Sequence, residues 1–318
     1  MGRVLLDQLE GGDVTAFVHE GVFYRDAEEF LAGTLPFVRA GVAAGEPVLL
    51  AVPGPNLALL TAALGAEAAA VEQVDMAEAG RNPVRILPGV LLAFAEAHPG
   101  RHVNIVGEPI WAGRTELEYP ACAQHEALIN AVFEDRDAAI LCPYDSAGLA
   151  PEVLADAART HPVLGAGADR WPSPDYADPV AVADLFNLPL PVPPRDAARL
   201  TFGSGGLPRV RRFVAVQGAE AGLPPEKVVD LTIAVNELAT NTIAHAESPG
   251  ELAIWRDNGQ LVCQLDDAGH IADPLAGRIP PPGVGDCGRG LLIVGQLSDL
   301  VRIHTRPGRT AIRLHFRV

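Results

Sequence analysis

Residues 224–245, PPEKVVDLTIAVNELATNTIAH, constrain the fold of this chain more than any other stretch. Apolar side chains recur there at Val228, Leu231, Val235 and Leu238, which is the spacing of one stripe along an α-helix. The two prolines that open the stretch, followed by a glutamate, suit a helical first turn, where a missing N–H costs little and negative charge is favourable. The stretch therefore predicts a long amphipathic helix.

Polar side chains lie together on a second edge of this predicted helix. Glu237 and Asn241 are one turn apart, and Asp230 lies on the same edge. Because polar pairs at this spacing are common on solvated helix faces, the pair alone does not identify a site. Two later blocks add to it: residues 261–269, LVCQLDDAG, predict a buried strand that ends in Asp-x-Gly, and residues 288–294, GRGLLIV, place two glycines at the start of an apolar helix.

In this order the three blocks resemble the N, G1 and G2 boxes of the Bergerat-fold (GHKL) ATP-binding superfamily. Residues 308–316, GRTAIRLHF, are similar to the last adenine-side strand of that superfamily. Through ELATNTIAHA and GRGLLIV, residues 199–318 most resemble the bacterial anti-sigma-factor serine/threonine kinases. The resemblance implies an α+β sandwich that binds ATP with Mg²⁺.

The resemblance also implies roles for individual residues. Glu237 would be the catalytic base or positioning group of phosphoryl transfer, and Asn241 would be a Mg²⁺ ligand that also contacts the cofactor. The other cofactor-binding positions that it implies are Asp267, Gly269, Gly288, Gly290 and Thr310. A carboxylate can accept the amino hydrogen of adenine, and glycines at a helix start present backbone N–H groups to phosphates.

One position departs from the family pattern. The G1 box of these kinases reads Asp-x-Gly-x-Gly, but the second glycine is replaced here by Ile271. A β-branched residue resists positive φ, so we expect Ile271 to crowd the start of the lid predicted at residues 270–287. His245 lies near the end of the long helix, and residues 165–194 contain no dimerisation hairpin, so autophosphorylation on histidine is not predicted.

The first half of the chain alternates short apolar runs with helical patterns. The predicted strands are 47–52, 71–75, 103–107 and 138–142, and the predicted helices are 27–44, 57–64, 82–97, 123–133 and 151–160. This alternation predicts an α/β unit, in which a parallel sheet is covered on both faces. The half contains no P-loop motif and hence no P-loop nucleotide site is predicted.

This half resembles the MEDS sensory domain, a RecA-like α/β module of bacterial regulators that is thought to sense small organic molecules. The resemblance is carried by residues 19–52, 75–87 (DMAEAGRNPVRIL), 107–111 (GEPIW), 122–130 (CAQHEALIN) and 141–145 (LCPYD). Ligands of such sheets collect beyond the carboxyl ends of the strands. The sensory-pocket candidates are His19, Tyr24, Asp75, Glu108, Trp111, Tyr144 and Asp145.

Two groups of residues in the sequence could bind a metal ion. His125 and Glu126 follow Cys122, but the spacing supplies only two plausible ligands, so a metal site is not predicted there. The four cysteines show no Cys-x-x-Cys spacing, and neither a zinc site nor a disulfide framework is indicated.

The net charge limits the kinds of partner that the protein can bind, and the distribution of apolar residues limits where it can lie in the cell. With 24 Lys and Arg against 40 Asp and Glu, the net charge of −16 argues against nucleic acid or an anionic membrane as the main partner. The start of the chain has no signal-peptide pattern and no apolar run is long enough to span a membrane, so we expect a cytoplasmic protein. The expected division is a MEDS-like domain at 1–165, a Pro-rich linker at 166–197 and an ATP-binding domain at 198–318. The Pro-rich stretch could instead be a segment that lies over the surface of a domain.

Together these patterns suggest a signalling regulator: a sensor of a small organic molecule joined to a protein serine/threonine kinase. The implied protein partners are a sigma factor, an antagonist of an anti-sigma factor, or both, and the chain could also form a homodimer. Two alternatives stay open, a non-catalytic nucleotide-gated switch and a sensor histidine kinase-like protein. An ATPase of the chaperone or topoisomerase type is disfavoured because the transducer domain of such enzymes is not recognisable here.

Overall fold

The computed structural model describes residues 17–246, 248–280 and 288–318. The chain divides into two compact units, the first comprising Met1–Gly80 and Gly89–Val182 and the second comprising Arg81–Pro88 and Ala183–Val318. None of the helices in the described ranges has the length and apolarity that crossing a membrane demands.

The first unit is an α/β structure built on a seven-stranded sheet. Its strands are β1 (Val18–Tyr24), β2 (Val48–Val52), β3 (Glu72–Asp75), β4 (Val103–Gly107), β5 (Ala138–Asp145), β6 (Val163–Ala166) and β7 (Asp169–Pro172). The strand order is β3-β2-β4-β5-β1-β6-β7, and every pairing is parallel except that of β6 with β7. The predicted parallel α/β class is confirmed, because strands buried along their whole length, such as β2 and β4, require cover on both faces.

Helices follow most of these strands. They are α1 (Ala27–Ala43), α2 (Gly54–Leu64), α3 (Met76–Ala79), α4 (Leu92–Ala97), α5 (Tyr119–Phe133), α6 (Pro151–Thr160) and α7 (Pro179–Leu185). The single helix predicted over 82–97 is wrong: a 3₁₀ turn at Pro83–Arg85 and a π-helical turn at Leu87–Leu91 precede α4. Pro88 has no N–H for the helical ladder, and in a regular α-helix its ring would clash with the carbonyl oxygen four residues earlier, which explains the irregular turn.

The second unit is an α+β structure with one five-stranded antiparallel sheet. Its strands are β8 (Ala198–Phe202), β9 (Gly250–Asp257), β10 (Gln260–Asp267), β11 (Leu300–Arg306) and β12 (Arg309–Arg317), in the order β11-β12-β10-β9-β8. Its helices are α8 (Leu207–Glu220), α9 (Pro225–His245) and α10 (Gly290–Leu297). The predicted apolar stripe of α9 is confirmed, since Leu231, Val235 and Leu238 are buried in the core beside Leu265 and Phe316 of the sheet.

The Pro-rich stretch at 166–197 is more structured than a plain linker. It contributes β7 to the first sheet, and its later part lies along the second sheet. There Asn187 exchanges hydrogen bonds with the backbone of Thr305, at 2.8 and 3.0 Å, and Arg313 donates to the carbonyl of Pro191. The later part of this proline-rich segment is thus held by hydrogen bonds to β11 and β12.

The short segment Arg81–Pro88 belongs to the second unit. The buried amide of Asn82 donates to the carbonyl oxygens of Gly295 and Ser298, at 2.9 and 3.1 Å, and its oxygen accepts from the N–H of Val301 at 3.3 Å. One side chain therefore satisfies the carbonyls that the last turn of α10 leaves unpaired.

Candidate functional site

A cavity of about 290 Å³ opens in the second unit between α9, the ends of β10 and β12, and the start of α10. Its lining comprises Leu238, Asn241, Thr242, His245, Ala246, Leu265, Asp267, Gly269, His270, Ile271, Ala272, Asp273, Ala276, Gly277, Gly288, Gly290, Leu291, Thr310 and Ile312. All six of the cofactor-binding positions expected from the sequence are among these residues. Residues from four separate sequence blocks therefore share one cleft.

The side chains of Glu237 and Asn241 on α9 face the beginning of α10. A Cβ placed on Gly290 would lie 3.1 Å from Oε2 of Glu237 and 3.4 Å from Nδ2 of Asn241. The backbone of Gly290 thus approaches Glu237 more closely than a residue with a side chain comfortably allows, and a Cβ there would be in ordinary contact with Asn241. No side chain of the described residues caps the N-terminus of α10, so the N–H groups of its first turn are available to an anion.

The carboxylate of Asp267 is held at the end of β10 by two donors. Its Oδ2 accepts from the hydroxyl of Thr242 at 2.6 Å, and its Oδ1 accepts from the N–H of Gly269 at 2.8 Å. Because these bonds orient the carboxylate, it can present its remaining lone pairs to an amino group in the cleft. Thr242 was missed by the sequence reasoning, although it directly follows Asn241.

The hydroxyl of Thr310 completes this side of the cleft. It donates to the carbonyl of Gly269 at 3.1 Å and lies 2.9 Å from the hydroxyl of Thr305, which in turn accepts from the N–H of Ile271 at 2.9 Å. Thr305 was also missed, because only the pairing of β11 with β12 brings it opposite Thr310.

The backbone of Ile271 does not adopt the positive φ that the second glycine of the family pattern would allow. Among the described residues Asn258 is the one non-glycine residue with positive φ. The side chain of Ile271 is partly buried against the core, and its N–H is bonded to Thr305. The backbone at position 271 therefore has a conformation that does not require glycine.

Part of the predicted lid can be placed. Gly277 has φ of 75°, and a Cβ on it would lie 2.6 Å from the Cβ of Leu291, so this turn lies against α10. Gly288, with φ of 94°, ends the lid and lines the cavity. The remainder of the predicted lid, 281–287, lies outside the described residues.

A polar cluster in the first unit surrounds Glu108, which directly follows β4. Its Oε1 accepts from the hydroxyl of Tyr24 at 3.0 Å and its Oε2 accepts from the amide of Asn56 at 2.7 Å. Burial, reinforced by the charge of Asp145 and opposed by these hydrogen bonds, raises the pKa of Glu108 to about 7. Asn56 was missed, although its position just beyond β2 is where a ligand-binding loop of a parallel sheet is expected.

The other sensory-pocket candidates have different surroundings. Asp75 accepts from the N–H groups of Gly54 and Ala77, at 3.1 and 2.8 Å, and Asp145 accepts from two N–H groups of the turn that follows β5. The ring of Trp111 lies 3.8 Å from the guanidinium carbon of Arg114.

His19 and Tyr144 lie at a separate place in the first unit. Their rings contact the ring of His161, with centroid separations of 4.1 and 5.5 Å. The structure thus brings Tyr24, Glu108 and Asp145 near one another, and places His19 and Tyr144 around His161 instead.

Two family models match the chain. The model described as "MEDS: MEthanogen/methylotroph, DcmR Sensory domain" matches residues 18–162, and the model described as "Histidine kinase-like ATPase domain" matches residues 205–316. Both resemblances seen in the sequence are thereby confirmed, and a match to the ATPase model implies ATP binding.

No curated protein matches the chain. Among solved structures, the RsbU and RsbW domains of Rv1364c from Mycobacterium tuberculosis match with 19% identity over 39% of this chain and 33% of that chain, with a TM-score of 0.31. This chain therefore spans about a third of that structure. The histidine kinase AdeS of Acinetobacter baumannii matches with 11% identity over 64% of this chain and 96% of that chain, with a TM-score of 0.23. Both TM-scores lie below 0.5, so neither likeness bears on the function of this chain.

Proposed function

We propose that this protein is a cytoplasmic signalling regulator in which the second unit binds Mg-ATP and phosphorylates a serine or threonine of a partner protein. The phosphorylated partner is an antagonist of an anti-sigma factor, and the second protein partner is a sigma factor that the chain sequesters. The first unit binds the small organic molecule that controls the reaction. The observation that carries the proposal is the approach of Gly290, at the start of α10, to the side chains of Glu237 and Asn241. Gly290 and Asn241 line the cleft, and Glu237 lies one turn before Asn241 on α9.

The residues of the cleft fit ATP and its metal ion. The N–H groups at the start of α10 and Gly288 suit the phosphates, and Asp267 suits the adenine amino group. The side-chain oxygen of Asn241 is a ligand of the kind that Mg²⁺ takes, and a bound Mg²⁺ would neutralise charge on the phosphates.

Glu237 is the group that supports a transfer step. In that step the hydroxyl oxygen of the partner forms a bond to the γ-phosphorus while the bond to the β,γ-bridging oxygen breaks and ADP leaves. Glu237 orients the hydroxyl and accepts its proton.

The test is transfer of labelled γ-phosphate from ATP to proteins that the full-length chain captures from a lysate. We expect acid-stable label on a captured partner, and we expect Glu237→Ala to lower its rate by about 10²–10⁴-fold, the range for a lost acid–base group. ATP binding should be retained by the variant. Glu226→Ala is the matched control, because Glu226 is an exposed carboxylate at the first turn of the same helix.

Two outcomes would contradict this proposal. Acid-labile label on the protein itself would favour a histidine kinase-like protein. Captured partners that stay unlabelled while their binding responds to ATP would favour a nucleotide-gated switch.

A further inference from the structure

Four buried donor side chains from separate elements of the first unit converge on one point. They are His19 of β1, Glu126 of α5, Cys142 of β5 and His161, which follows α6. Their donor atoms all lie within 4.8 Å of one another, and each residue is no more than 1% exposed. The sequence reasoning considered Glu126 beside Cys122 and His125, but the fold groups it with different partners.

Hydrogen bonds on the far side of both imidazole rings define which nitrogen faces the cluster. Nδ1 of His161 lies 2.8 Å from the carbonyl oxygen of Ala157, which can only accept, so Nδ1 carries the proton. Nδ1 of His19 lies 3.1 Å from Oδ1 of Asn130, whose amide nitrogen donates to two backbone carbonyls. In the neutral rings, both Nε2 atoms therefore direct lone pairs into the cluster, as in metal-ligating histidines held by an outer hydrogen bond.

The atoms that face one another inside the cluster are mainly hydrogen-bond acceptors. Nε2 of His161 lies 3.1 Å and Nε2 of His19 lies 3.6 Å from Oε2 of Glu126. Both carboxylate oxygens and Nε2 of His161 are fully buried, and none of them forms a hydrogen bond with a described residue. Buried acceptors that face one another in this way are costly unless a cation or a proton lies between them.

Gly21 shows that the cluster is packed around the second histidine. It is paired with Cys142 across β1 and β5, and a Cβ on it would lie 3.1 Å from Cγ of His161. A larger residue at position 21 would therefore displace the imidazole.

We propose that His19, Glu126, Cys142 and His161 form a closed, four-coordinate site for a divalent transition metal of the zinc class. In a tetrahedral site with metal–nitrogen distances of about 2.0 Å and a metal–sulfur distance of about 2.3 Å, ligand atoms are about 3.3–3.6 Å apart. The observed separations of 3.1 and 3.6 Å to Glu126, and of 3.4 Å between Cys142 Sγ and His19 Nε2, lie near these values.

The donor set and the burial select the kind of metal site. A thiolate with two imidazoles favours zinc-class ions over Mg²⁺ or Ca²⁺, which prefer oxygen ligands. Because protein supplies all four ligands, the ion would link β1, β5, α5 and the end of α6 and serve stability rather than catalysis.

The test uses the purified full-length chain, and it is independent of nucleotide binding. We expect about one zinc-class ion per chain by elemental analysis. After chelation, Co²⁺ should bind with the same stoichiometry and give a sulfur-to-cobalt charge-transfer band together with the strong visible bands of tetrahedral Co²⁺. Cys142→Ala should abolish the charge-transfer band, whereas Cys263→Ala, which removes a buried thiol of the second unit, should leave it unchanged.

Measurements on the wild-type chain keep the proposal falsifiable if Cys142→Ala does not fold. X-ray absorption at the metal edge should show one sulfur and three nitrogen or oxygen ligands, and chelation should lower the unfolding temperature. A chain that contains no metal and takes up no Co²⁺ would overturn the proposal. So would a Co²⁺ spectrum without sulfur ligation in the wild type, or one that Cys142→Ala leaves intact.

Discussion

Glu108 illustrates how burial changes the chemistry of a single carboxyl group. In the folded chain its pKa is raised to about 7, from the 4.5 of an exposed glutamate, mainly because burial disfavours the charged form. The folded state therefore binds more protons than the unfolded state between these two values. It follows that stability falls as the pH rises through this window.

The corresponding prediction concerns Glu108→Gln. A shift of this size corresponds to about 3 kcal/mol of stability that the wild type loses between about pH 4.5 and 7. The variant should lack this loss, so its free energy of unfolding should vary less with pH. Urea unfolding from pH 4.5 to 8 measures the effect. Glu96→Gln, at an exposed carboxyl on α4, is the control, and equal pH dependence in wild type and Glu108→Gln would disprove the burial argument.

Ile271 is a second position where one residue decides a local property. It has no positive φ, and its side chain packs on the core, so replacing it with glycine relieves no strain.

We therefore expect Ile271→Gly to lower the free energy of unfolding by about 1–3 kcal/mol, through lost packing and greater backbone entropy in the unfolded chain. The dissociation constant of ATP should stay within about threefold, because no strain is removed at the site. Ile271→Val, which keeps the branched side chain, is the control. If glycine tightened ATP binding or slowed its release, Ile271 would be an obstacle to lid closure after all.

The two ends of α10 differ in how their backbone groups are paired. The N-terminus of α10 presents uncapped N–H groups to the cleft, whereas carbonyls near its C-terminus are satisfied by Asn82 from the segment Arg81–Pro88. A remote stretch of sequence thus completes the element that carries the glycines of the site.

Asn82→Ala should accordingly destabilise the second unit by about 2–4 kcal/mol, because it leaves two carbonyls and the N–H of Val301 buried without their partner. Urea unfolding of the full chain, monitored by a probe in the second unit, checks this. Asn236→Ala removes an amide whose hydrogen bond to Arg211 is exposed, and it should cost about 0.5 kcal/mol or less. Equal effects of the two substitutions would show that the buried bonds contribute little.

Each of the two units has its own hydrophobic core and its own candidate sites. Buried Glu108 and the His19 cluster belong to the first unit, and the nucleotide cleft belongs to the second. A ligand that binds one folded unit stabilises the chain by mass action.

Mg-ATP at about 100 times its dissociation constant should stabilise the full-length chain by about 2.7 kcal/mol. Asn241→Ala should remove the part of this stabilisation that depends on Mg²⁺, because Asn241 is the proposed oxygen ligand of the metal. Calorimetry with ATP, with and without Mg²⁺, separates the two contributions, and Asn236→Ala on the same helix is the control. A thermogram that Mg-ATP leaves unmoved would exclude nucleotide binding.

The two fold classes could be inferred from the sequence, which also predicted six positions that the structure gathers in one cleft. Periodicity located α9 because an amphipathic helix has to bury one stripe, and the order of the Asn, Asp-x-Gly and Gly-x-Gly blocks indicated one site. It could not locate Thr305, Asn56 or the partners of Glu126, since their contacts depend on strand order and register. Only the tertiary structure decided those contacts: His19, Cys142 and His161 are far apart along the chain and meet because β1 pairs with both β5 and β6. Local patterns report which face of an element is buried, and long-range pairing determines what that face meets.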